Sequence, residues 1–151
     1  MSTIEVGDLL YEYTLKVTGI AEYGVSFEAL IAGSVAPPPE GARFDVSLDG
    51  HAKGSRLSGR VTGVDYLRVR ADGRFDLHIH AEIAAEDGGR ISLHADGIAT
   101  PRPNSPVVDL RENVTLFSSA KSYTWLNPLQ VWATGTVDLA EQVIHIKGYA
   151  A

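Results

Sequence analysis

Between Arg74 and Gly97 the chain alternates apolar and polar residues on both sides of a glycine turn. A two-residue period belongs to β-strands, whose successive side chains point to opposite faces. Phe75, Leu77, Ile79, Ala81 and Ile83 share one face, continued after the turn by Ile91, Leu93 and Ala95. Like faces must meet when two strands pair, so opposed residues have numbers of the same parity. A three-residue loop, Glu86-Asp87-Gly88, satisfies this and leaves Gly88 in the left-handed conformation such loops require. The register sets His80 across from His94 and His78 across from Asp96. Three of the five histidines are thus expected on one patch beside an aspartate.

The same period recurs along most of the chain. Leu9, Tyr11, Tyr13, Leu15 and Val17 share a face, and Val25, Phe27, Ala29, Ile31 and Val35 repeat the pattern between Gly24 and Val35. Phe44 to Leu48, Leu57 to Val61, Asp65 to Arg70, Val107 to Leu116, Gln130 to Asp138 and Val143 to Tyr149 follow. Turn clusters at 37–41, 71–73 and 101–106 separate them, and Asp49-Gly50 and Asp72-Gly73 read as hairpin turns. Short strands at a spacing of roughly 8–12 residues imply an all-β domain. A single antiparallel up-and-down β-barrel of about eight to ten strands, enclosing a lumen, fits best, because closure removes exposed sheet edges. Gly59, Gly97, Gly135 and Gly148 suit the bends of a small barrel. Helix is limited to one short piece at most, within Ser118 to Leu126.

Composition narrows the function. There is no cysteine, which excludes disulfides, thiolate nucleophiles and cysteine zinc sites. A net charge of −6 argues against a sequence-independent grip on nucleic acid. No apolar run approaches the ~20 residues of a membrane helix. The opening Met1-Ser2-Thr3-Ile4-Glu5-Val6 lacks the basic flank and apolar core of a signal peptide, so a cytoplasmic location is expected. No Ser-His-Asp order, phosphate loop or dinucleotide fingerprint is present.

Gly54-Ser-Arg-Leu-Ser-Gly59, Asp65-Tyr66, Asp72-Gly73, Glu86-Asp87-Gly88 and Gly97, followed by Tyr123-Thr-Trp-Leu-Asn127, carry a resemblance in order and spacing. Together they resemble the bacterial domain-of-unknown-function 3237 family of small β-barrel proteins, over roughly residues 8 to 150. Asp65-Tyr66 stands where that family usually has Asp-Trp, and His78 and His80 stand where it commonly has Asp and Arg. The resemblance implies a barrel similar to those of the allene oxide cyclase and dirigent group, and a polar hairpin face that matters in the family. It names no reaction.

Several residues are candidates for chemistry. Imidazoles at His78 and His80 near Asp65 or Asp96 would move protons close to neutral pH. The alternatives are a three-imidazole metal site with His94, or a solvated outer face with the Phe75–Ile83 row pointing inward. Asp65 is either a carboxylate at the lumen mouth or a turn cap. Tyr123 and Asn127 either orient a ligand carbonyl or belong to an end plug, the reading favoured for Trp125. Arg56, Arg60, Arg68 and Arg70 form a basic strip, read as paired with neighbouring carboxylates. Trp132 and Tyr149 are barrel wall or the contact of a homo-oligomer. The expectation is a cofactor-independent lyase, isomerase or cyclase acting on a small, partly apolar organic molecule in the lumen. Asp65 is its base, His78 and His80 relay protons, Tyr66, His94, Tyr123, Trp125 and Asn127 bind substrate, and no metal takes part. The alternative is a non-catalytic carrier of a small ligand.

Overall fold

A computed structural model describes residues 3–151; the signal-peptide reading at Met1 and Ser2 lies outside the described residues. Eight antiparallel strands close into one barrel in sequence order: β1 (Leu9–Glu22), β2 (Ala42–Lys53), β3 (Gly59–Val69), β4 (Phe75–Ala85), β5 (Arg90–Pro101), β6 (Val107–Phe117), β7 (Val131–Asp138) and β8 (Val143–Ala150). Tyr13 of β1 lies opposite Ile146 of β8, and this pairing completes the ring. The up-and-down topology places the connections 23–41, 70–74, 102–106 and 139–142 at one end, here the mouth. The other end carries 54–58, 86–89 and 118–130.

Parity decides which side chains go inside. His80 pairs with His94 and His78 with Asp96, in the register the alternation dictates, and Gly88 has φ +95°. Leu77, Ile79 and Ile83 are buried, while His78 and His80 are exposed. The outer face carries ion pairs such as Arg60–Asp49 at 2.6 Å, Arg70–Asp72 at 2.7 Å and Arg102–Asp109 at 2.7 Å. Two members of the basic strip are thus neutralised locally. No helix among the described residues is long and apolar enough to cross a membrane.

Three local expectations need correction. The stretch 24–35 is not a strand: Phe27–Ile31 forms a short helix, α1. Ser26 caps it, its hydroxyl accepting from the Ala29 amide at 3.1 Å, and Gly24 and Gly33 turn the chain with φ of +90° and +75°. Those local bonds outweigh the alternation, since no neighbouring strand is available here to pair with. Asp49-Gly50 is no turn either. It lies inside β2, where a side chain at Gly50 would run into the Thr14 carbonyl of β1. Gly97 is likewise pressed against the backbone at Arg111 of β6. Leu57–Val61 and Asp65–Arg70 are largely one strand, β3, so the described residues make eight strands.

Candidate functional site

The inward row of β3 runs Val61, Gly63, Asp65, Leu67, Val69, and that of β6 runs Val108, Leu110, Glu112, Val114, Leu116. Each row carries one carboxylate among aliphatic side chains. Asp65 and Glu112 are 8% and 4% exposed, so both carboxyl groups stand inside the barrel. Gln142 and the Tyr13 hydroxyl join them among otherwise apolar walls.

The interior has a graded layout. An open apolar vestibule of about 700 Å³ lies between the α1 loop and the mouth turns, lined by Leu30, Val35, Phe75 and Leu139 among others. Past Phe75 and Leu139 comes a cavity of about 60 Å³ bounded by Phe27, Val46, Asp65 and Gln142. A deeper cavity of about 40 Å³ is bounded by Tyr13, Val61, Asp65 and Glu112. Asp65 borders both chambers, and Glu112 only the inner one. The far end is sealed by the 118–130 segment, whose Leu126 is fully buried.

Burial acts on the two acids unequally. Desolvation raises the Asp65 carboxyl to about 6, opposed by a hydrogen bond from the His78 main-chain N–H at 3.0 Å. That bond exists because the β3–β4 ladder opens between Asp65–Ile79 and Arg68–Asp76. Glu112 has no such donor. Its Oε1 is buried without a partner, and desolvation, reinforced by the Asp65 charge, pushes it up to about 8. At neutral pH the lumen therefore holds one carboxylate and one carboxylic acid. The Tyr11 hydroxyl is also buried and unpartnered. Burial, then the charge of Glu112, drives the Tyr11 and Tyr13 phenols well above their ordinary range, so both stay neutral donors.

Of the residues singled out in the sequence, only Asp65 faces this interior. His78 and His80 project from the outer face, separated from the lumen by the sheet, because β4 gives its odd positions to the core. Their rings therefore stand outside the lumen, and His78 reaches Asp65 from the adjacent strand through its main-chain N–H and its charge, both of which lower the Asp65 carboxyl against the desolvation that raises it. Tyr66 is 38% exposed and sets its ring edge against His80, with centroids 5.8 Å apart. His94 completes the outer cluster. Tyr123 donates its hydroxyl to Asp87 at 2.9 Å, tying the sealed end to the β4–β5 turn. Asn127 clamps Ser118, accepting from its N–H and donating to its carbonyl, each at 2.8 Å. Trp125 bonds the Ser122 carbonyl at 2.9 Å and lies beneath the Arg56 guanidinium, 3.7 Å from the ring centre. All three belong to the plug, away from both carboxyl groups. Trp132 stands on the outer wall, 43% exposed. Glu112 escaped the sequence reading, although parity signals it: it is the one charged residue in the even-numbered row of β6.

Solved structures share this architecture. A protein of unknown function from Clostridium acetobutylicum superposes with a TM-score of 0.77 at 20% identity, covering 95% of this chain and 96% of that one. A beta-barrel like protein from Acinetobacter baumannii gives 0.74 at 18% identity, covering 99% and 97%. An enzyme from Penicillium herquei gives 0.61 at 21% identity, covering 99% and 98%. At these identities the likeness is one of fold. No curated protein matches the chain. Residues 25–150 match the family described as protein of unknown function DUF3237, and with five-sixths of its length so matched the chain belongs to that family.

Proposed function

We propose that the barrel is a cofactor-independent lyase, isomerase or cyclase that moves protons on a small, partly apolar carbonyl compound held in the lumen. One observation carries the reading: two buried carboxyl groups face one apolar chamber, with proton affinities held apart on either side of neutrality. Such a pair divides into base and acid. Asp65, ionised above about pH 6, takes a proton from the carbon next to the carbonyl. Glu112, protonated below about pH 8, gives its proton to the carbonyl oxygen, and an enol results. Return of a proton at another carbon gives an isomer. Expulsion of a β-substituent gives an elimination product, and internal attack closes a ring. The apolar walls keep water from competing for both groups, and the vestibule accepts the hydrocarbon part of the molecule. The two chambers together are smaller than the ~150 Å³ that hold a benzene ring, so only a small head group passes Phe75 and Leu139 unless those side chains shift. The Penicillium herquei neighbour supports the reading by analogy, since the same barrel there belongs to an enzyme.

The test is solvent exchange. Methyl ketones carrying a short alkyl tail are incubated with the protein in D₂O, and loss of α-proton signal is followed by NMR. Wild type should exchange fastest between about pH 6 and 8, with a limb on each side set by Asp65 and Glu112. Asp65→Asn keeps an oxygen for the His78 amide and should lose about 10²–10⁴-fold. Ligand retention with exchange no faster than in Asp65→Asn would instead favour a carrier, a reading that the predominance of apolar lining also suits.

A further inference from the structure

The outer face of β4 and β5 brings together His78, His80 and His94, whose ligating nitrogens all lie within 4.8 Å of one another. Their rings pack as a trio: 5.2 Å and nearly parallel for His78 and His80, 4.8 Å and edge-on for His80 and His94, 5.3 Å and edge-on for His78 and His94. The backbone fixes the arrangement. Two alternate positions of one strand point the same way, and His94 sits directly opposite His80 on the next. Asp96, across from His78, accepts from the Asn113 amide at 3.2 Å and can orient an adjacent imidazole.

We propose that these three histidines bind one zinc(II) ion on the outside of the barrel, with a coordination position left open to solvent. Three imidazoles are a ligand set for zinc in sites that keep water or a small anion as fourth ligand. Tetrahedral coordination at Zn–N of about 2.0–2.1 Å puts ligand nitrogens about 3.3 Å apart. The ligand nitrogens must close by up to about 1.5 Å, which rotations of partly exposed side chains supply without moving either strand. Imidazole nitrogen suits borderline ions such as zinc, copper(II), nickel and cobalt, and not magnesium or calcium. Tyr66 walls one side through its contact with His80, and solvent reaches the other, since His78 and His80 are exposed. The site lies on the opposite face of the sheet from Asp65 and Glu112 and is joined to Asp65 through the His78 main-chain N–H, but zinc binding is read without reference to the lumen chemistry.

Zinc sulfate titrated into the full chain without a polyhistidine tag tests this by calorimetry, with cobalt(II) as optical probe. One zinc per chain with a Kd in the micromolar range or tighter is expected, together with the visible absorption of four-coordinate cobalt. His80→Ala and His94→Gln should each weaken binding about tenfold or more, while His145→Ala, outside the trio, leaves it unchanged. Zinc should raise the melting temperature of wild type and not that of His80→Ala, a comparison internal to each folded variant. Absence of a stoichiometric site in wild type overturns the proposal. So does equal affinity in wild type, His80→Ala and His94→Gln.

Discussion

Replacing Glu112 by glutamine tests the central electrostatic claim, because glutamine matches the protonated acid in shape and cannot ionise. The unfolded chain releases the Glu112 proton near 4.5, whereas the folded barrel retains it to about 8. Between those values the native state binds more protons than the unfolded state, so stability falls as pH rises and levels off above the folded value. At about 1.36 kcal/mol per unit, Glu112 alone removes about 3–4 kcal/mol between pH 5 and pH 8. Asp65, raised from 3.8 to about 6, acts in the same direction. Most of its effect lies below pH 6, and it removes roughly 1 kcal/mol over the same interval. Surface carboxylates run the other way. Hydrogen bonds from Arg60, Arg90 and Arg102 hold Asp49, Glu82 and Asp109 below the ordinary range, so their contribution is complete above about pH 5 and lost only on acidification. Urea unfolding followed by the fluorescence of Trp125 and Trp132, at unit steps from pH 5 to 8, gives both curves. Wild type should lose about 5 kcal/mol and Glu112→Gln about 1 kcal/mol. At 2–4 °C per kcal/mol for a chain of this size, the extra wild-type loss is about 10 °C in Tm. Parallel curves for the two proteins would refute a buried, protonated Glu112, and with it the acid in the proposed pair.

Gly97→Ala should destabilise the barrel by at least about 1–3 kcal/mol, since the added methyl meets the Arg111 backbone in the adjacent strand; a thermal melt within a degree of wild type would mean that β5 and β6 part more easily than the register implies. Tyr123→Phe should cost about 1 kcal/mol by loss of the bond to Asp87, without altering ketone exchange. A change in exchange would place Tyr123 in the working chamber after all.

The barrel is legible in the sequence because alternation and strand pairing obey one parity rule, and the 74–97 hairpin obeys it residue by residue. The rule also says what was harder to see: the histidine face and the apolar face cannot both point inward. Hydrophobic burial of Leu77, Ile79 and Ile83 decides between them, and His78 and His80 go outside. Glu112 lies in the interior under the same rule, yet a lone acid in an aliphatic row reads as an ordinary surface residue until the register of β6 is known. Asp65 gave a partial signal through its place between Gly63 and Tyr66. The segment 24–35 misleads because alternation is a statement about faces, and a stretch without a partner strand has no sheet to present them to. Gly50 misleads for a different reason: Asp-Gly marks a turn only when the chain reverses there, and here the glycine admits the β1 backbone.

The cap at the mouth contains no fully buried side chain in α1, and the glycines that flank it, Gly24 and Gly33, stand in open space. The segment makes no strand pairing with the barrel and touches it through side chains, chiefly Phe27, which sets its ring edge-on to the buried Phe44 at 4.9 Å. Changes in its length, or in side chains other than Phe27, would reshape the vestibule while leaving the closed ladder of eight strands intact, since loop insertions cost little. Under the proposed function, the molecule admitted can thus diverge among barrels of this type through drift in one loop, with the paired carboxyl groups beneath it held constant.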